Sequence, residues 1–427
     1  MELIISMERS GGELPVGSIS GIDMDSAAFS YAESYISAGG RPISVSLPIQ
    51  REPFTPRQTR NYFEGLLPEG FTRRTVAQWL HADEGDYLKI LAALGRECLG
   101  ALKVRAGEEP IFPTAAYEKL TIEQVRALAQ EGATKSAELV TKSHLSLTGA
   151  SGKVGLYYDE PNGDWYLPRG SAPSTHIVKQ SHVRLNGIVT NEQLSVTTAR
   201  LLGLDVPDSF IINTGRGEDE AVLFATKRYD RVIPANARVL DGLPVPARLH
   251  QEDFAQALGI ASVAKYEQDG EMHMKAMFDT LRRVSADPIR DQLKLWDMVV
   301  FNYLLGNTDG HIKNYSLLWD APMQSLRLAP AYDLVSTTVY SESTHNMAFS
   351  IGGRHSIDEI DRNAFRDAAG ELGLGEKIAL KRFDALAERF EATLREAADR
   401  MNVEGFSNVF DIRDAILRTG GIRVLEH

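Results

Sequence analysis

The residues with the most chemical promise lie in Leu304-Leu305-Gly306-Asn307-Thr308-Asp309-Gly310-His311-Ile312-Lys313-Asn314. An apolar, helix-like run ends there in a turn carrying Asp309, and Asn314 follows five positions later. A third oxygen ligand, Asp333, stands downstream in Pro330-Ala331-Tyr332-Asp333. A base, then an amide, then a carboxylate suits phosphoryl transfer from a metal-bound nucleotide. The base accepts the proton of an attacking hydroxyl, and the two later oxygens hold Mg²⁺ across the phosphates. An Asp-x-x-x-x-Asn pair alone is common, and by itself reads as a turn-capping aspartate beside an unrelated asparagine. The same spacing occurs in the catalytic loop of protein kinases, His-Arg-Asp-x-x-x-x-Asn.

Such a site needs a phosphate cradle. Ser146-Leu147-Thr148-Gly149-Ala150-Ser151-Gly152-Lys153-Val154 places a turn of small residues between apolar flanks. Glycine lets backbone amides approach phosphate oxygens, and Lys153 adds charge. The spacing is not that of a Walker loop, and taken alone the stretch reads as a plain hairpin. Ser174-Thr175-His176-Ile177-Val178-Lys179 follows with strand alternation ending at a lysine, a point charge suited to nucleotide phosphates. Asn191-Glu192-Gln193-Leu194 opens a helix closed by Gly203. Glu192 there either reaches Lys179 or satisfies the helix dipole.

Strands are expected at Pro42–Pro48, Ser209–Asn213 and Val222–Lys227, the last running into Arg228-Tyr229-Asp230-Arg231. Two helices separated by Asp83-Glu84-Gly85-Asp86 fit residues 71–97, and Thr121 with Gln124 forms a capping box. From about residue 250 the pattern turns helical: one helix starts at Leu249-His250-Gln251-Glu252-Asp253-Phe254, and others cover Met272–Val284, Ile289–Leu305 and Glu376–Met401. A hairpin around Ala321-Pro322-Met323 is expected to fold Asp333 back beside Asn314.

The 427 residues exceed one ordinary core, and 43% hydrophobic with 24% charged residues is a globular balance. A net charge of −12 argues against a broad nucleic-acid surface. The single cysteine, Cys98, forms no internal disulfide, and the N-terminal residues carry no secretory pattern, so a cytoplasmic location is expected. No apolar run is long enough to span a membrane.

With these residues in this order, the chain resembles the HipA family, the serine/threonine-kinase toxins of bacterial HipBA-type toxin–antitoxin modules. The resemblance runs over nearly the whole chain. It rests most on Gly306–Asn314, Ala329-Pro330-Ala331-Tyr332-Asp333-Leu334-Val335-Ser336 and Pro173–Lys179, with echoes at Leu66-Leu67-Pro68-Glu69-Gly70, Leu147–Ala150 and Arg228–Arg231. It implies Asp309 as catalytic base, Asn314 and Asp333 as Mg²⁺ ligands and Lys179 as the ATP lysine. Gly149, Ala150, Ser151, Gly152 and Lys153 become the phosphate loop, Tyr229 the hinge residue, and His311 a contact to the nucleotide phosphates. It further implies silencing by autophosphorylation of a loop serine, with Ser146 and Ser151 as candidates and Thr148 a third. The loop departs from the family pattern by its extra glycine, Gly152.

The expected architecture is α+β, a two-lobed protein-kinase-like fold. It has an N-terminal α/β subdomain (1–106), a nucleotide-binding lobe (107–231) and a helical lobe with the catalytic and metal-binding residues (232–427). The activity implied is ATP- and Mg²⁺-dependent phosphorylation of a protein serine or threonine, with a translation component such as an aminoacyl-tRNA synthetase as target. The implied partner is a small helix-turn-helix, HipB-like antitoxin that reaches DNA on the protein's behalf. Two rivals remain: a phosphotransferase acting on a small molecule or lipid, and an inactive kinase-fold corepressor. The intact set Asp309, Asn314, Asp333 and Lys179 argues against the second.

Overall fold

The computed structural model describes residues 2–9, 12–107, 115–143, 152–181 and 185–426. Ser146, Thr148, Gly149, Ala150 and Ser151 lie outside the described residues. The chain forms two compact units, each built from separate stretches: Met1–His182, Ala225–Val263 and Leu317–Ser325 in the first, and Val183–Phe224, Ala264–Ser316 and Leu326–His427 in the second.

The first unit opens with an antiparallel sheet. Glu2–Arg9 lies between Gly12–Ser20 and Leu102–Ala106, and Ala28–Tyr31 borders Gly12–Ser20. Period-two alternation buries Leu3, Ile5 and Met7 on one face. After the short helix Glu33–Ser37 come Pro56–Phe63, Gly70–Trp79 and Tyr87–Leu94. Pro56–Phe63 is held by a Thr55/Gln58 capping box and Tyr87–Leu94 by the Asp86 carboxylate, which accepts from Lys89 N. Phe29 stacks on Phe54 at 5.9 Å and meets Tyr31 edge-on at 4.9 Å, closing the core between sheet and helices.

One expected strand is absent. Residues 42–48 make a single isolated bridge, Ser44 to Leu47. Their main chain bonds to side chains instead of a strand: Ile43 N donates to the Tyr31 hydroxyl at 3.0 Å, the Ile43 carbonyl accepts from the Tyr62 hydroxyl at 3.1 Å, and Val45 N donates to Glu252 Oε1 at 2.9 Å. Alternation recorded burial correctly, since Ile43 and Leu47 are fully buried, but not strand pairing.

A second sheet in this unit orders its strands Ala116–Lys119, Asp164–Arg169, Lys153–Asp159 and His176–Gln180. The Thr121/Gln124 capping box starts the Ile122–Glu131 helix, and Ala133–Ser143 follows.

In the second unit the expected helix at Asn191 begins earlier, at Ile188, after Gly187 at φ 71°, and ends at Gly203 at φ 92°. Asn191 is not a cap but a buried tether: its side chain donates to the Ser336 carbonyl at 2.8 Å and accepts from Ser336 N at 3.0 Å. Ser209–Asn213 and Val222–Lys227 are strands with the expected bounds.

Helices Pro288–Leu305 and Glu376–Val403 pack on Phe365 of the Arg362–Glu371 helix, whose ring lies 5.6 Å from Trp296, 5.2 Å from Tyr303 and 4.6 Å from Phe383, and helix His273–Val284 packs against Pro288–Leu305. The helix expected from Leu249 starts only at Phe254, because Gln251–Asp253 is a strand and Asp253 is the cap, accepting from Gln256 N. Sheets in the first unit and helices in the second make the fold α+β, as expected.

Candidate active site

The site grows from the C-terminal end of the Pro288–Leu305 helix. Gly306 adopts φ 78°, and a Cβ there would lie 2.2 Å from Thr338 Oγ1, so the turn tolerates only glycine without rearrangement. The segment after Asp333 is fastened to this turn. Thr337 N and Thr338 N donate to the Gly306 carbonyl at 2.9 and 3.1 Å, and Thr308 N donates to Thr337 Oγ1 at 2.8 Å.

A buried amide joins the two acids. Asn307 Oδ1 accepts from Asp309 N at 3.2 Å, while its Nδ2 donates to the Asp333 carbonyl at 3.3 Å and to Asn302 Oδ1 at 3.0 Å. Asn302 in turn donates to the Tyr315 hydroxyl at 2.9 Å. Asn307 is therefore the hub of the loop. No role for Asn307 was expected from the sequence. The available signal was a polar pair, Asn302 and Asn307, on the apolar end of a helix, where a buried amide must find partners.

Asn314 closes the loop that begins at Gly306. Its Nδ2 donates to the Asp309 carbonyl at 2.9 Å and its main-chain N to the His311 carbonyl at 2.8 Å. With the amide nitrogen so used, the carbonyl oxygen is the branch left to act as a ligand. The hairpin works as expected: Ala329 N donates to the Ser316 carbonyl at 2.9 Å, and the Tyr332 hydroxyl donates to the Lys313 carbonyl at 2.8 Å, so the neighbours of Asp333 and Asn314 meet. Asp333 itself sits at φ 52°, the left-handed region that aspartate tolerates and most residues avoid.

Asp309 is exposed, whereas His311 is buried with its main-chain N donating to the Asp309 carbonyl at 2.8 Å. Tyr266 was not anticipated. Its hydroxyl donates to Asp309 Oδ1, and its ring meets the His311 ring edge-on at 5.2 Å.

Among the described residues no cluster of three or more His, Cys, Asp or Glu could hold a metal ion. One carboxylate and one amide oxygen fit a hard cation that keeps waters and borrows oxygens from phosphates, as Mg²⁺ does.

In the first unit, Lys153 and Lys179 are direct cross-strand partners in an antiparallel pair. Opposed residues share a face of the sheet, and like charges so placed repel. Gly152 is buried at the start of this strand. Tyr229 is half-buried between buried Arg228 and Asp230, with its hydroxyl donating to Gln251 Oε1.

Comparison with known proteins places this arrangement. The model described as HipA-like C-terminal domain matches residues 145–394, and that described as HipA N-terminal domain matches residues 11–105. The Sinorhizobium fredii protein named "Putative kinase Y4mE" is 35% identical over 382 residues, 87% of each chain. The Shewanella oneidensis "Serine/threonine-protein kinase toxin HipA" is 27% identical over 416 residues, 92% of this chain and 89% of its own. A solved structure of Shewanella oneidensis HipA with HipB and operator DNA shares the fold, with TM-score 0.78 over 99% of each chain at 22% identity. The fold and the loop define a HipA-like domain pair whose relatives are named as kinases. This chain belongs to the HipA family. Among its described residues, no helix is long and apolar enough to cross a membrane.

Proposed function

We propose that the protein is an ATP-dependent serine/threonine-protein kinase acting as the toxin of a toxin–antitoxin pair. The observation that carries this reading is Asn307, which bonds the main chain of both Asp309 and Asp333 and so fixes a base and a metal-binding acid in one rigid loop. A loop without catalytic duty gains nothing from placing an exposed carboxylate on a buried polar hub.

In this mechanism Lys153 and Lys179 neutralise nucleotide phosphates, with Gly149, Ala150, Ser151 and Gly152 lending backbone amides. Tyr229 lies at the adenine hinge, and His311 contacts the phosphates. Asn314 and Asp333 would hold Mg²⁺, which would supply positive charge to offset that of the nucleotide phosphates. The substrate hydroxyl attacks the γ-phosphorus, its proton passes to Asp309, and the bond to the bridging oxygen breaks to leave ADP. Labour is divided three ways: residues 1–106 as an accessory subdomain, 107–231 for the nucleotide, 232–427 for chemistry. The substrate class is a protein of translation such as an aminoacyl-tRNA synthetase. The partner is a HipB-like helix-turn-helix antitoxin, through which the kinase is carried to DNA, and the setting is the cytoplasm. Support for the partner is the likeness to a chain solved with HipB and operator DNA. Autophosphorylation at Ser146 or Ser151 silences the enzyme.

The test is phosphopeptide mass spectrometry of a bacterial lysate incubated with ATP, Mg²⁺ and either wild-type protein or Asp309→Gln. New phosphoserine or phosphothreonine with wild type alone supports the reading. Labelled metabolites without labelled protein point to a different substrate class, and equal labelling by both proteins refutes it.

A further inference from the structure

The Tyr266 hydroxyl donates to the carboxylate of Asp309 from 43 residues upstream in sequence. We propose that Tyr266 is a positioning residue for the catalytic base: its phenol fixes the rotation of the Asp309 carboxylate so that the base meets the substrate hydroxyl in one orientation. This rests on Asp309 being the base.

The geometry separates what holds the main chain of Asp309 from what holds its side chain. Asp309 N donates to Asn307 Oδ1 at 3.2 Å, and the Asp309 carbonyl accepts from His311 N at 2.8 Å and Asn314 Nδ2 at 2.9 Å. These bonds are made to the main chain and do not themselves touch the carboxylate. The carboxylate torsion is broad and two-fold in aspartate, so an exposed carboxylate samples many orientations unless a donor engages it. The Tyr266 hydroxyl supplies a donor to Oδ1.

Tyr266 is built to do this. The next residue, Glu267, is clamped to two elements. Its N donates to the Ala348 carbonyl at 3.0 Å, its Oε1 accepts from Ser350 N at 2.9 Å, and its Oε2 accepts from His273 N at 2.6 Å. Strand Asn346–Ile351 and helix His273–Val284 thus both hold the chain beside Tyr266. The Tyr266 carbonyl accepts from Gln268 Nε2 at 3.1 Å, and the ring leans on His311 at 5.2 Å. A side chain with 40% of its surface exposed would otherwise be free to swing. Here backbone and ring are both fixed, and the phenol is delivered to one oxygen of the base.

The experiment compares wild type, Tyr266→Phe, Tyr266→Ala and Asp309→Asn. ADP formation from ATP is followed with desalted bacterial lysate as protein acceptor, and the KM for ATP and the thermal midpoint are measured on each protein. Tyr266→Phe keeps the ring against His311 and removes only the hydroxyl. Orientation is one part of the contribution of a general base, so kcat is expected to fall about tenfold, with KM for ATP and thermal midpoint unchanged. Tyr266→Ala is expected to fall at least as far. Tyr266→Phe at or above the wild-type rate overturns the inference, since the phenol would then be idle or a placeholder for substrate. A loss matched by a lower thermal midpoint overturns it as well, because the role would be structural. Asp309→Asn distinguishes the layers: if it is inactive while Tyr266→Phe is normal, only the positioning role fails. If Asp309→Asn keeps the wild-type rate, the base itself is misassigned.

Discussion

Substituting Glu97 by glutamine tests how the first unit is held together. Glu97 is 1% exposed and accepts from Arg228 Nη1 at 3.1 Å, Arg231 Nη2 at 2.9 Å and Arg248 Nε at 2.8 Å. Asp230 completes the cluster, taking Arg228 Nε at 2.9 Å and Nη2 at 2.8 Å and accepting from Gly100 N at 2.8 Å. Burial alone would push the Glu97 carboxyl up, but Arg231, Arg248 and Arg228 outweigh it and lower its pKa from 4.5 to about 2. The Asp230 carboxyl is likewise held well below the usual range: Arg228 and Arg231 overcome its desolvation.

Two routes give the size of the effect. Removing one partner of a buried ion pair leaves uncompensated charge and costs about 3–5 kcal/mol. The lowered pKa, converted at about 1.4 kcal/mol per unit, gives about 3 kcal/mol. Glu97→Gln keeps the shape but turns an amide N–H toward guanidinium donors, so a loss of about 3 kcal/mol at pH 7 is expected. The sign with pH follows from the depressed folded value. The contribution is complete above pH 4.5, fades as pH falls toward about 2, and is absent from the variant, so the difference between the two proteins shrinks in acid. Urea titrations at pH 7 and in acid, followed by fluorescence of Trp165 and Trp319 in the same unit, measure it. A variant within about 0.5 kcal/mol of wild type at pH 7, or a difference that grows in acid, would refute the reasoning.

Three further outcomes are expected. Glu252, fully buried with Ser44 Oγ donating at 2.5 Å and Val45 N at 2.9 Å, has its carboxyl pushed up by burial from 4.5 to about 8. The folded state therefore retains a proton that the unfolded state loses. Stability from this group is complete below pH 4.5 and declines as pH rises toward about 8, so the advantage of Glu252→Gln over wild type should grow across that window in thermal melts; no relative gain from pH 5 to 8 would count against it. Gly306→Ala must strain φ 78° and displace Thr338 Oγ1 from 2.2 Å, costing about 1–3 kcal/mol and misplacing Asp309; an unchanged thermal midpoint with full ADP formation would contradict this. Asn307→Ala removes the shared partner of Asp309 and Asp333, so ADP formation should fall by more than tenfold (about 1.4 kcal/mol per decade); normal turnover would remove the hub from the argument.

Local chemistry was legible in the sequence. The capping residue Thr121, the stop at Gly203, and the bounds of Ser209–Asn213 and Val222–Lys227 follow from side-chain hydrogen bonding, backbone freedom and alternation that each residue carries wherever it sits. So did the order of the acids, the amide and the lysines, and the hairpin that returns Asp333 toward Asn314. Tertiary structure decided which polar groups answer to which. Alternation at residues 42–48 encodes burial, but only the neighbouring Tyr31, Tyr62 and Glu252 make that segment a side-chain-bonded loop instead of a strand. Asn191 has the composition of a cap, yet Ser336 makes it a buried tether. Asn307 and Tyr266 carry no spacing rule at all. Their roles exist because the chain brings the Asp333 carbonyl within 3.3 Å of one and the Asp309 carboxylate against the other. A hydrogen bond across tens of residues depends on where two main chains pass each other, and no local pattern records that.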